Sequence, residues 1–100
     1  MELYKVEEDP TTRDRLVREA FDGLFHAARL ASMVYLSTEV ARWGAIKAQL
    51  PHLHKVAFDN FIKTLHLKYF YNGEYPRDRI EGELKRWLKL TEEYVACMHA

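Results

Sequence analysis

One hundred residues, 48% apolar and 30% charged, have the composition of one small soluble globular domain. The formal net charge is zero, so no overall field attracts the chain to nucleic acid or to a membrane surface. A single cysteine, Cys97, excludes an intrachain disulfide and a cysteine-based metal site. The acidic N-terminus does not resemble a signal peptide, and no apolar run is long enough to span a membrane. We therefore expect a cytoplasmic protein, and nothing in the sequence indicates a cofactor.

The apolar pattern predicts an all-α fold: an antiparallel bundle of four helices in one domain over residues 1–100, with residues 1–9 as an N-terminal tail. The first helix is predicted over 10–36, because Asp9 can cap free amides and Pro10 suits a first turn. Its apolar residues recur at steps of three and four, and a second set widens the apolar face: Leu16, Ala20, Ala27, Leu30 and Val34. Such a broad face predicts more than one neighbour.

Gly23 lies inside this first helix, where glycine costs about 1 kcal/mol relative to alanine. We interpret it as a position where another backbone approaches closely. Arg18 and Asp22 are one helical turn apart, which predicts a surface ion pair between them.

The remaining helices are predicted over 39–50, 51–71 and 76–98. Pro51 separates the second helix from the third, and Asn72 with Gly73 is a stop signal for the third. The fourth helix has the most regular apolar stripe, which predicts lengthwise packing on another helix: Ile80, Leu84, Trp87, Thr91, Tyr94 and Met98. No alternating strand pattern is present.

Charge is concentrated in the middle of the chain, where residues 40–70 hold five basic residues and one acidic residue. A group of basic and aromatic residues in this region suits contacts to a phosphate backbone and stacked bases: Lys63, His66, Lys68, Tyr69 and Tyr71. The alternative is a solvated helix face whose tyrosines pack at a dimer interface.

Two histidine patterns are explained without a catalytic, nucleotide-binding or metal-binding role. His26 lies among apolar residues, which favours a core histidine bonded to a neighbour over a group that handles nucleotides or protons. His52 and His54 lack further ligands at matching spacing, so no metal site is predicted.

Residues 18–30 read REAFDGLFHAARL. This text resembles a helix of the HEPN family (higher eukaryotes and prokaryotes nucleotide-binding domain), which reads roughly R-A-Y-Y-A-x-F-H-A-A-R-A-L. In the family's order there follow a short helix, a long helix with a tyrosine-bearing turn at 69–76, and a last helix with Leu, Trp and Tyr. The resemblance covers about residues 12–97.

The resemblance implies a helical bundle that often forms a two-fold dimer. Some members are RNA-cutting toxins, and others pair with a small nucleotidyltransferase. Active members carry an arginine, four to six residues and then a histidine near the end of the third helix. His66 is similar to that histidine, but Lys63 stands one turn before it in place of arginine, and lysine does not reproduce the guanidinium fork.

The predicted function is therefore a non-catalytic, dimeric association or nucleotide-binding module, with a toxin–antitoxin nucleotidyltransferase as a further partner. The alternative is an RNA-binding or RNA-cleaving protein in which His66 and Lys63 are the catalytic candidates; whether the chain is an enzyme stays open. Many members have a further helix ahead of the one at 18–30. Either a partner chain covers the face left exposed here, or the true start lies upstream of Met1, and both readings favour association.

Overall fold

The computed structural model describes residues 3–99, which form helices and no strand. In chain order these are α1 (Leu3–Val6), α2 (Pro10–Leu36), α3 (Trp43–Gln49), α4 (His52–Asn60), a π-helix (Phe61–Tyr71) that continues α4 without a break, and α5 (Ile80–Met98). The predicted all-α bundle is confirmed. No helix in the described part of the chain is long and apolar enough to cross a membrane.

The central element is α2, whose 27 residues span about 40 Å and match the longest dimension of the molecule, 42 Å. It begins where the sequence predicts, because the Asp9 carboxylate accepts a hydrogen bond from the Thr12 amide at 3.0 Å. It ends at Leu36, and Ser37 follows in the left-handed conformation with φ 53°.

Two predicted helix starts are wrong, and the predicted tail contains one turn of helix. The predicted tail at 1–9 includes the one-turn helix α1. The second helix begins at Trp43 and not at 39, since the Thr38 hydroxyl accepts from the Val40 amide at 3.1 Å and holds a local turn. The last helix begins at Ile80 and not at 76, because Tyr75 and Arg77 are tied to α2 by side-chain hydrogen bonds.

The predicted third helix over 51–71 changes its hydrogen-bonding pattern halfway. From Phe61 the backbone is π-helical, and the Asn72 amide closes its end by bonding to Leu67 O at 3.0 Å. A π-helix is usually a single turn inside an α-helix and is frequent at functional sites. Here it carries His66 and Tyr69, which contact Asp22 and Phe21 of α2.

The core lies where α2 packs against the π-helix and α5. Phe21 of α2 meets the Tyr69 ring edge to face at 4.8 Å, and Phe61 meets Trp87 of α5 at 5.6 Å. Five of the six stripe residues predicted for α5 are buried, with Ile80 partly covered: Leu84, Trp87, Thr91, Tyr94 and Met98. The stripe is therefore confirmed as the packing face of α5.

Candidate functional site

Two histidines from different elements meet one buried carboxylate, that of Asp22 on α2. His66 of the π-helix donates from Nδ1 to Asp22 Oδ1 at 2.8 Å. Nε2 of His26, one turn further along α2, lies 2.8 Å from Asp22 Oδ2. We call these three residues the Asp22 cluster. Asp22 is thus not paired with Arg18, and that predicted ion pair is wrong.

The ring of His66 is held firmly. It stacks on Phe25 at 4.6 Å and on Phe70 at 5.9 Å, and the Trp43 ring lies edge-on at 6.5 Å. A carboxylate at Nδ1 selects the tautomer with the proton on that atom, which leaves a lone pair on Nε2. Nε2 of His66 makes no hydrogen bond to a described residue. It is also not one of the buried side-chain atoms that lack a hydrogen-bond partner. A neutral imidazole oriented in this way can accept a proton at Nε2.

His26 differs from His66 in its surroundings. Its side chain is half exposed and meets a neighbour, as predicted, but it does not lie in the core. Its Nδ1 atom is buried without a hydrogen-bond partner, and so is Nε of Arg29, one turn along the same helix.

The basic and aromatic residues predicted as an RNA or nucleotide site differ in their surroundings. Lys63 pairs with Asp59 at 2.8 Å, and Asp59 is also bound by Lys47 at 2.6 Å. Hydrogen bonds from these two lysines lower the pKa of Asp59. Lys68 is exposed, and Tyr71 is exposed over 71% of its surface. No hydrogen bond or ion pair joins Lys63 to His66 among the described residues.

Tyr69 is a core residue and not a stacking platform, because its ring packs on Phe21 and its hydroxyl donates to Glu83. Glu83 of α5 also accepts from Trp87 Nε1 at 3.1 Å and from two Arg86 nitrogens at 3.0 Å. These hydrogen bonds, led by those from Arg86, lower the pKa of Glu83 to about 2 in spite of its burial. Burial and the adjacent Glu83 raise the pKa of Tyr69 to about 12.

Arg18 does not pair with Asp22 and instead bonds to the end of the π-helix. It donates from Nε to Phe70 O at 2.7 Å and from Nη2 to Tyr71 O at 2.8 Å. These are carbonyls at the end of the π-helix that the helix itself leaves free. The guanidinium also covers Gly73, which has φ +69°. Arg18 therefore fixes the turn that leads towards α5.

A row of exposed residues lies on the outer face of α2: Gly23, Ala27, Leu30 and Val34. We call it the α2 stripe. Leu30 is 56% exposed and Val34 66% exposed. A Cβ atom built on Gly23 would meet nothing within 4 Å. The close backbone neighbour predicted for Gly23 is therefore not found in the described part of the chain.

Among the described residues, no group of three or more His, Cys, Asp or Glu residues is placed to hold a metal ion. His54 instead meets the rings of Tyr35 and Tyr94. Cys97 is a free, exposed thiol.

The sequence did not reveal Asp22 as the partner of His66, because 44 residues separate them. A local indication of this cluster in the sequence was that Asp22 and His26 are one helical turn apart.

Compared with known proteins, the chain matches no family model, no curated protein and no solved structure.

Proposed function

We propose that this chain is a HEPN-like helical association module that works in complex with another protein chain. The observation that carries the proposal is the α2 stripe, with Leu30 and Val34 exposed on the longest helix. A small domain that leaves large apolar side chains aligned on a regular helix face presents a surface typical of protein–protein contact.

The resemblance of residues 18–30 to the HEPN helix supports two kinds of partner, a second copy of the chain or a small nucleotidyltransferase of a toxin–antitoxin pair. The same helix carries both the resemblance and the uncovered apolar residues. In this proposal the module has no catalytic role of its own.

Light scattering on the purified chain across micromolar concentrations tests self-association. Co-expression with a small nucleotidyltransferase encoded beside the gene for this chain tests the other partner. Leu30→Glu should reduce either association by about tenfold or more, because it places a charge in an apolar interface. Leu53→Glu is the matched control, since Leu53 is also an exposed leucine but lies on α4. A monodisperse monomer at high micromolar concentration that also binds no nucleotidyltransferase would contradict the proposal.

A second function is favoured by one observation, the Asp22 cluster. In this second proposal His66, with its Nδ1 held by Asp22 at 2.8 Å, acts as the general base on an RNA phosphodiester. Lys68 and the exposed Tyr71 are on the same π-helix and would contact the backbone and a base.

Incubation of the chain with mixed RNA at low salt tests this alternative. His66→Gln and Asp22→Asn should both abolish cleavage, whereas His52→Gln, at an exposed histidine of α4, should not. Cleavage that survives His66→Gln would remove the Asp22 cluster from the mechanism. Absence of RNA binding at low salt would end the RNA hypothesis.

A further inference from the structure

A groove between α4 and α5 is separate from the α2 stripe and from the Asp22 cluster, since the described residues that line it include no member of either. Its volume is about 320 Å³, which is within the range of pockets that bind small organic molecules. Along α4 it extends from His54 to Phe61 at the start of the π-helix, a length of about 10 Å.

The inner wall of the groove is aromatic and held in place. The rings of Phe61 and Tyr94 meet edge to face at 5.1 Å, and Phe61 meets Trp87 at 5.6 Å. The Tyr94 hydroxyl is hydrogen-bonded to Ser32 at 2.8 Å, and Trp87 Nε1 donates to Glu83 at 3.1 Å. Because the polar atoms of both rings have partners inside the chain, the rings offer the groove an apolar surface.

A small residue gives the groove its width. Ala57 of α4 lines it between the levels of His54 and Phe61, and Leu90 of α5 lines the other side. The methyl group of Ala57 leaves space there that a longer apolar side chain would fill.

The charge of the groove is one-sided. Glu93 of α5 is the one Asp, Glu, Lys or Arg residue among the described residues that line it. Its carboxylate makes no hydrogen bond or ion pair with any described residue. The remaining polar lining comes from His54, Asn60 and Cys97. A carboxylate without a partner beside aromatic surface favours a ligand that joins a cation to an apolar body.

We infer that this groove binds a small organic amine. The apolar body lies against Phe61 and Leu90, and the ammonium donates to the Glu93 carboxylate. Arg86 already stands over the Trp87 ring at 5.0 Å, so Trp87 receives part of the body and not the charge. An anionic ligand would meet Glu93 and no cation. This site is independent of the proposed association function and adds a ligand to it.

Three probes that share one body test the charge preference: phenylbutylamine, phenylbutanol and phenylbutyrate. Each is titrated into the full chain at millimolar concentrations and followed by amide chemical shifts. We expect shifts in α4 and α5 around the groove, with the amine bound about fivefold more tightly than the alcohol, as one exposed ion pair allows. Phenylbutyrate should bind more weakly than the alcohol.

Glu93→Gln should weaken amine binding about fivefold and leave the affinity for the alcohol unchanged. Glu92→Gln is the matched control, because Glu92 is the preceding exposed glutamate of α5 and does not line the groove. Equal losses for both variants would show a general effect of net charge and overturn the inference.

Ala57→Leu should weaken binding of the amine and of the alcohol alike, by about tenfold or more, because the leucine occupies the space of the body. Ala48→Leu, at an exposed alanine of α3, should change neither. Amine and alcohol affinities that are equal in the wild-type chain would overturn the inference, as would shifts confined to other helices or no binding of the amine at all. Glu93→Gln keeps the inference testable if Ala57→Leu does not fold.

Discussion

At the scale of single residues, the chain keeps the carboxylate of Glu83 charged inside its core. Glu83 is 7% exposed and has three side chains as donors. A buried charge is tolerated only when its hydrogen bonds are complete. The cluster thereby joins Tyr69 of the π-helix to Arg86 and Trp87 of α5, so one ionised group connects two elements of the bundle.

Glu83→Gln should lower the free energy of unfolding at pH 7 by about 3 kcal/mol, since the pKa of the carboxyl falls from 4.5 to about 2 and each pKa unit corresponds to about 1.4 kcal/mol. A lowered pKa means that this stability is present above the unfolded-state value near 4.5 and is lost as the pH falls towards 2. Urea unfolding of wild type and variant from pH 7 to pH 2 measures it. Glu92→Gln, an exposed residue on the same helix, should change little; equal losses for both variants would refute the assignment.

Two glycines should respond to alanine with opposite signs. Gly73→Ala should destabilise by about 1–2 kcal/mol, because its positive φ is unfavourable for a side chain and the Arg18 guanidinium stands 3.3 Å from the new Cβ. Gly82→Ala in α5 should stabilise by up to about 1 kcal/mol, because the space is open and alanine favours helix. Thermal unfolding of both variants gives the comparison, and a neutral Gly73→Ala would contradict the role given to that turn.

At the scale of elements, the C-terminal end of the π-helix is held by hydrogen bonds from a side chain of another helix, α2. Its end is closed by the Asn72 amide bonding to Leu67 O and by the Glu74 amide bonding to Lys68 O at 2.9 Å. The carbonyls of residues 70 and 71 are satisfied from α2, by Arg18. Side-chain capping from a second helix thus stabilises a backbone form that is rare at this length.

Arg18→Ala should loosen this end without unfolding the bundle. We expect amide hydrogen exchange at Asn72 and Glu74 to become about tenfold faster. Without the guanidinium, fewer hydrogen bonds have to break when this end of the helix opens locally. Exchange in α5 should change much less. Arg15→Ala, an exposed arginine of the same helix, is the control. Uniform acceleration across the whole chain would indicate global destabilisation and contradict a local role.

At the scale of the whole molecule, the question is how much apolar surface one chain of this size can cover. A domain of 100 residues has a thin core, and here the central helix is buried on one side and leaves Leu30 and Val34 outside. Covering them with another chain removes apolar surface from water and links folding to association.

The melting temperature of the wild-type chain should therefore rise with protein concentration. Between about 5 and 500 micromolar we expect an increase of several degrees, because association stabilises only the folded state. Calorimetry on Leu30→Glu should show no such dependence, and Leu53→Glu should retain it. A wild-type melting temperature that does not change with concentration would count against self-association.

The sequence by itself determined the helices and their buried faces, because helical periodicity and capping are local properties. The start of α2 at Pro10 followed from the capping signals of Asp9 and Pro10, and the buried stripe of α5 followed from spacing. The π-helical turn from Phe61 and the late start of α5 did not, because both depend on contacts with α2.

Only the tertiary structure decided which of these residues meet. His66 finds Asp22 across 44 residues, and Tyr69, expected on a binding surface, is buried against Glu83. The sequence showed that α2 has a broad apolar face. It did not show which part of that face remains exposed in the folded chain. The reason is physical: periodicity gives the direction of a side chain, whereas its partner depends on how the helices are packed in space.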